Sequence, residues 1–191
     1  MNWLAHLYLS EPDPAFRIGN LLPDMAPPGV LAGLPEAYQA GIARHRQIDR
    51  FTDAHPVVRA SVGRFAPPLR RFGGILADIF YDHFLARDWS HYSDVPLTDF
   101  TRDFYRSVPA HRRHLPPDAR RVFFYMRAGD WLASYREVDG IRDALRRLSH
   151  RFRRPVELAP ATKVLEDHYD AFHDDFRRFF PDLRAHLAVA E

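Results

Sequence analysis

The sequence predicts an all-α fold: a helical bundle of about six to eight helices in one domain spanning residues 1–191. Three observations carry this. Apolar residues recur at helical spacing along most of the chain, alternating β-branched runs are missing, and many of the sixteen prolines fall between the periodic stretches. With 46% hydrophobic and 14% aromatic residues, 191 positions suffice to bury an ordinary core, so disorder is not expected. No fixed-period repeat and no Gly/Ser tract marks a boundary.

Taken in order, the elements carry the polar residues that need explaining. NWLAHLYLS sets His6 among Trp3, Leu4, Leu7 and Leu9, and RIGNLLPDM places Asn20 and Asp24 around an apolar Leu-Leu pair, where both could equally cap or turn the chain before APPG. The helix through AYQAGIARHRQIDRFTDAH has a buried stripe of Tyr38, Ile42, His45, Ile48, Asp49 and Thr52, flanked by Arg44, Arg46 and Arg50. His45 and Asp49 stand at i, i+4 in its centre, where they could also satisfy each other. In ILADIFYDHFLA, Ile75–Ala86, Asp78 and Asp82 share a face at i, i+4, and His83 points roughly 100° away. Ionised groups are costly to bury unless paired or metal-bound, and stacked carboxylates raise each other's pKa unless a cation sits beside them. A buried arginine is the alternative neutraliser.

Leu97, Phe100, Phe104 and Val108 mark the next helix, and Asp118 reads as the N-cap of the helix through RRVFFYMR. Ile141, Leu145, Leu148 and Phe152 form another stripe, and Leu165, Tyr169, Phe172, Phe176 and Phe179 a last one, with Pro155, Pro160 and Pro181 as delimiters. In EDHYDAFHDDF, His173, Asp167, Asp170, Asp174 and Asp175 fall off that stripe and are expected to face water; His168 lies near its edge.

The absence of cysteine excludes disulfides, thiol chemistry and thiolate metal sites, so a metal must be held by His, Asp and Glu. Two or more histidines with three or four carboxylates favour an oxygen-rich octahedral site for Mn²⁺ or Mg²⁺, and Fe²⁺ fits the same donors. Such an ion acidifies water and polarises a phosphoryl oxygen, which makes phosphoester hydrolysis the natural reaction class, with Arg44, Arg46 and Arg50 to neutralise phosphate. The net charge is +2, and Lys163 is the only lysine among 27 basic residues. Arginine forks suit phosphate and carboxylate, although genome composition would give the same bias. With no basic leader and no run of eighteen apolar residues, a soluble cytoplasmic protein is expected, with no membrane association.

MNWLAHLYLS, GNLLPDM, HRQIDRFTDAHPVVR, YDHFLARDWS, WLASYREVDGI and DHYDAFHDDFRRFFP, in this order from Met1 to about Pro181, resemble the acyl carrier protein phosphodiesterases, or ACP hydrolases. The resemblance implies a helical fold distantly similar to the HD-type phosphohydrolases. It also implies a manganese-dependent reaction that removes 4′-phosphopantetheine from holo-acyl carrier protein. The doublet here is Asp82-His83, in the opposite order to the His-Asp of HD proteins. On this reading Asp24, His45, Asp78 and Asp82 form the metal shell, with Asp49 orienting His45. His83 or His6 would protonate the departing serine oxygen, while water activated by the ion attacks phosphorus in line.

Carrier proteins are acidic as a class, and Arg142, Arg146, Arg147 and Arg151 offer a basic helix face to dock one. A nucleic-acid partner is not expected, because exposed aromatics are not interleaved with the arginines. Two alternatives remain: an HD-like phosphohydrolase of a small nucleotide, and a non-enzymatic helical adaptor for an acidic partner.

Overall fold

The computed structural model describes residues 1–152 and 154–189. Among these, twelve α-helices run in order: α1 (Trp3–Tyr8), α2 (Pro14–Leu21), α3 (Pro28–Leu31), α4 (Glu36–Ala54), α5 (Pro56–Gly63), α6 (Gly73–Arg87), α7 (Leu97–Ser107), α8 (Pro117–Ala128), α9 (Trp131–Ser134), α10 (Val138–Ser149), α11 (Ala161–Asp167) and α12 (Tyr169–Ala188). Short 3-10 turns at Leu22–Asp24, Leu69–Phe72, Trp89–His91 and Val108–His114 join some of them. No strand occurs among the described residues, and no helix is long and apolar enough to cross a membrane.

The helices outnumber the six to eight expected because α1, α3, α9 and α11 span seven residues or fewer, too short to leave a periodic trace of their own. Prolines open others: Pro14, Pro56 and Pro117 occupy the first turn of α2, α5 and α8, where a missing N–H costs nothing. Asp13 caps α2 by accepting from the Phe16 N–H at 2.8 Å. Asp118 makes no such cap. It lies in the first turn of α8, which begins at Pro117, and pairs with Arg121 at 3.2 Å. Pro181 does not end its helix either: it lies inside α12, where burial of Phe179, Phe180, Leu183 and Leu187 on both sides outweighs the lost hydrogen bond.

α6 is the axis of the bundle. From Ile79 to Ala86 no residue exceeds 4% exposure, so this helix is enclosed on every side, and α1, α5, α10 and α12 pack around it. Phe80 and Phe84 of α6 meet Phe172 and Phe176 of α12 with ring centroids 5.3 and 6.1 Å apart, inside one contiguous apolar cluster. Each fully buried ring contributes about 1.5–3 kcal/mol of transfer free energy. Asp175, expected to face water, is instead fully buried against α5, where Ser61 Oγ donates to it at 2.8 Å and Arg64 and Arg178 bind its oxygens. His173 pairs with Asp88. Helical spacing within α12 could not show that α5 would present a matching cation.

α2 and α4 pack backbone to backbone. A Cβ on Gly19 would stand 2.3 Å from the Tyr38 carbonyl oxygen, and one on Gly41 would stand 2.1 Å from that of Phe16. This close approach sets Asn20 of α2 against His45 of α4. Gly41→Ala is therefore expected to lower stability by about 1–3 kcal/mol in chemical denaturation despite its better helix propensity. Gly33→Ala, with nothing within 4 Å of the added methyl, should leave the midpoint unchanged.

Candidate metal centre and its cavity

The interior face of α4 carries His45 and Asp49 one turn apart, and α1 brings His6 against them. The two imidazoles stack at 4.2 Å with planes 17° apart. His6 Nε2 lies 3.1 Å from Asp49 Oδ1, and His45 Nε2 lies 3.0 Å from Asp49 Oδ2. His6, His45 and Asp49 each offer a ligand atom within 4.8 Å of the others. Asp24 adds a carboxylate 3.9 Å from His45 Nε2, held by the Trp3 indole N–H donating to Oδ2 at 2.9 Å.

Asn20 sets the tautomers. Its Nδ2 donates to the His6 carbonyl and to Ser10 Oγ, both at 2.8 Å, so its Oδ1 is the atom facing His6 Nδ1 at 3.0 Å, and that nitrogen must donate. The Asn20 carbonyl accepts from His45 Nδ1 at 2.8 Å. With each Nδ1 protonated, the two Nε2 atoms point their lone pairs at acceptors: Asp49 and the Met1 carbonyl for His6, Asp49 for His45. Acceptors facing lone pairs demand either a second proton on each ring or a shared cation. Two neutral imidazoles oriented through Nδ1 and two carboxylates form a donor set that fits a divalent ion. Burial opposes the imidazolium of His45, but Asp49 and Asp24 outweigh it and raise its pKa. Burial also opposes the Asp49 anion, yet hydrogen bonds from His45 and His6 hold its carboxyl well below the usual range.

The other expected ligands are placed differently. Asp78 lies at the edge of this group, 3.2 Å from the Met1 ammonium, which also lies 3.3 Å from Asp49. Burial raises the Asp78 pKa against that ammonium, whose own pKa, lowered by burial but raised more by Asp78 and Asp49, is pushed up to about 10. Asp82 is not brought to the cluster. Both its oxygens accept from the first turn of α1, Leu4 N–H at 2.7 Å and Ala5 N–H at 3.0 Å, while burial pushes its pKa up to about 7. Its cation substitute is thus the positive end of a helix. His83 points elsewhere too: Nδ1 donates to the Tyr135 carbonyl at 2.8 Å, leaving Nε2 to accept from the Tyr169 hydroxyl at 2.6 Å. Both nitrogens are engaged, and burial lowers its pKa.

A cavity of about 810 Å³ opens beside the cluster. Asp24, Asp49, Asp53 and Asp78 line its acidic side, while Arg121, Arg147, Arg151 and the Trp131 ring line another part of the wall. The Arg147 guanidinium stacks over Trp131 at 4.1 Å, and its buried Nη2 has no hydrogen-bond partner among the described residues. Arg151 donates to the Asp24 carbonyl. Arg44, Arg46 and Arg50 do not line this cavity. Arg44 lies toward Glu11 and Phe16, and Arg46 and Arg50 are exposed, each one residue and so about 100° off the His45–Asp49 stripe. The expected docking face also divides: Arg142 pairs with Asp139 and Glu166, Arg146 with Asp143, and only Arg147 and Arg151 reach the cavity. Sequence reasoning missed Asn20 as the orienting group and Trp131 as a wall; a polar Asn20 between Ile18 and Leu21 was the available signal for the first.

Titration with Mn²⁺ separates these roles. His6→Ala, His45→Ala and Asp49→Ala should abolish binding, and Asn20→Ala should weaken it roughly 10–100-fold. Asp82→Ala should keep the affinity but lose about 1–3 kcal/mol of stability, because two α1 amides are left without acceptors; loss of Mn²⁺ binding with stability intact would return Asp82 to the ligand set.

Comparison with known proteins points one way. The family model described as acyl carrier protein phosphodiesterase matches residues 1–183. A protein of Enterobacter sp. (strain 638) named acyl carrier protein phosphodiesterase is 35% identical over 96% of this chain and 95% of its own length. Relatives of the same name from Yersinia pestis (32% identical, 96% of this chain and 95% of the relative) and Escherichia coli O139:H28 (35%, 97% and 96%) align over nearly the whole length too. No solved structure matches the chain. Near-complete coverage at this identity, together with the family match, shows that the chain belongs to the acyl carrier protein phosphodiesterase family.

Proposed function

We propose that this protein is a metal-dependent phosphodiesterase that releases 4′-phosphopantetheine from holo-acyl carrier protein and leaves the apo form. The relatives' names supply the substrate. The observation that carries the chemistry is that the His6–His45–Asp49 cluster opens through Asp49, with Asp24, onto a cavity that Arg121, Arg147 and Arg151 also line. A divalent ion held by His6, His45, Asp49 and Asp24, Mn²⁺ on the resemblance, would supply the charge that polarises a phosphoryl oxygen and acidifies water.

The chain's own residues do the rest. Asn20 holds the proton on each Nδ1, so that each Nε2 is the nitrogen aimed inward. Arg147, with a free Nη2 and a guanidinium braced on Trp131, binds non-bridging phosphate oxygens as charge builds on them, and Arg151 supports it. Trp3 and Trp131, stacked at 6.4 Å, give that side of the cavity an aromatic wall. His6 belongs with the ligands rather than serving as proton donor, because its Nε2 faces Asp49.

Incubation of the protein and Mn²⁺ with holo-carrier protein should shift the carrier's intact mass to that of the apo form. Chelation should stop the reaction and added Mn²⁺ restore it. An unchanged carrier mass under these conditions would refute the proposal. Arg147→Ala should lower kcat/KM by about 10²–10³-fold with Mn²⁺ binding unaltered.

A further inference from the structure

α8 buries one side, through Ala119, Phe123 and Met126, and leaves an unusual outer face. Phe124 is 67% exposed and Tyr125 53%, with their rings in edge contact at 5.4 Å. Single exposed apolar residues are ordinary; two adjacent aromatic rings form a patch. Beside Phe124 lies a slot of about 150 Å³ walled by Val108, Leu115 and Phe123 and also lined by Arg112, Arg120 and Arg127. The surrounding charge is one-sided. From Arg106 to Arg127 the chain carries six arginines and a single acid, Asp118, which Arg121 already pairs. Arg112 and Arg127 are exposed and have no ion-pair partner among the described residues. On α10, by contrast, Arg142 and Arg146 are matched by acids of their own helix.

The same helix borders the catalytic cavity. Arg121, Val122 and Tyr125 line it, whereas Arg120, Phe123, Phe124 and Arg127 line the slot, so α8 is the ridge between the two. We propose that the outer face of α8, with Phe124, Arg127 and the adjoining slot, is the docking surface for an acidic helix of the protein substrate. This rests on the carrier-protein reading above. An apolar side chain of that helix fills the slot, its carboxylates meet Arg112, Arg120 and Arg127, and its modified serine is set at the edge formed by Tyr125, from which the prosthetic arm enters the cavity. Aromatic and arginine side chains around a desolvated slot are the residues that dominate binding energy, and the positive field steers an acidic partner.

The test is a Phe124→Ser/Arg127→Glu double variant and an Arg112→Glu variant, each compared with the unaltered protein. Far-UV circular dichroism and Mn²⁺ affinity should be unchanged. Binding of apo-carrier protein, read by fluorescence anisotropy, should weaken about 30-fold or more in the double variant. KM for holo-carrier protein should rise accordingly with kcat retained, and the salt dependence of binding should flatten. Carrier affinity unchanged in the variants would overturn the docking assignment, as would tighter binding of a duplex RNA than of carrier protein to this face. Because anisotropy reads binding alone, an unaltered protein that binds carrier through α8 yet releases no arm would sink the hydrolase reading and leave the docking surface standing.

Discussion

The convergence of two imidazole lone pairs and a carboxylate on one point inside the bundle is the constraint on which the rest of the structure depends. Asp49 cannot satisfy two neutral histidines whose Nδ1 protons are already committed to Asn20. A divalent cation would resolve the conflict, as would a second proton on each ring. In the proposed phosphodiesterase, an ion held there would also polarise phosphate.

Several otherwise puzzling features serve this point at a distance. Asp82, fully buried like Asp175, holds the Leu4 and Ala5 amides in the first turn of α1, directly before His6. Gly19 and Gly41 let α2 and α4 touch, which puts the Asn20 carbonyl within reach of His45. Trp3 steers the Asp24 carboxylate. A rigid central α6 anchors these supports, since it is enclosed on all sides and cannot shift without repacking α1, α5, α10 and α12. Positioning by surrounding groups of this kind is what holds a ligand set in place with little room to relax.

The cavity joins two halves of opposite charge. Its acidic side suits a metal and its arginine side suits a phosphate group. Arginines assigned by sequence to phosphate, Arg44, Arg46 and Arg50, flank the right helix but the wrong faces, while Arg147, assigned to docking, stacks on Trp131 inside the wall. Each reversal has the same origin: a helical wheel resolves angle about one axis, not what another helix brings to it.

Periodicity and proline placement determined the all-α class and the buried stripe of α4, because these depend on local spacing and on the cost of burying apolar area. The presence of His6, His45 and Asp49 on interior faces was equally legible, and the six ordered fragments carried the family. Which carboxylate meets which partner was decided only by the fold. Asp82 and Asp175 look alike as acids in helical segments, yet one is neutralised by the amides of α1 and the other by the arginines Arg64 and Arg178. A buried charge is settled by its three-dimensional neighbours within a few ångströms, and those come from residues far apart along the chain.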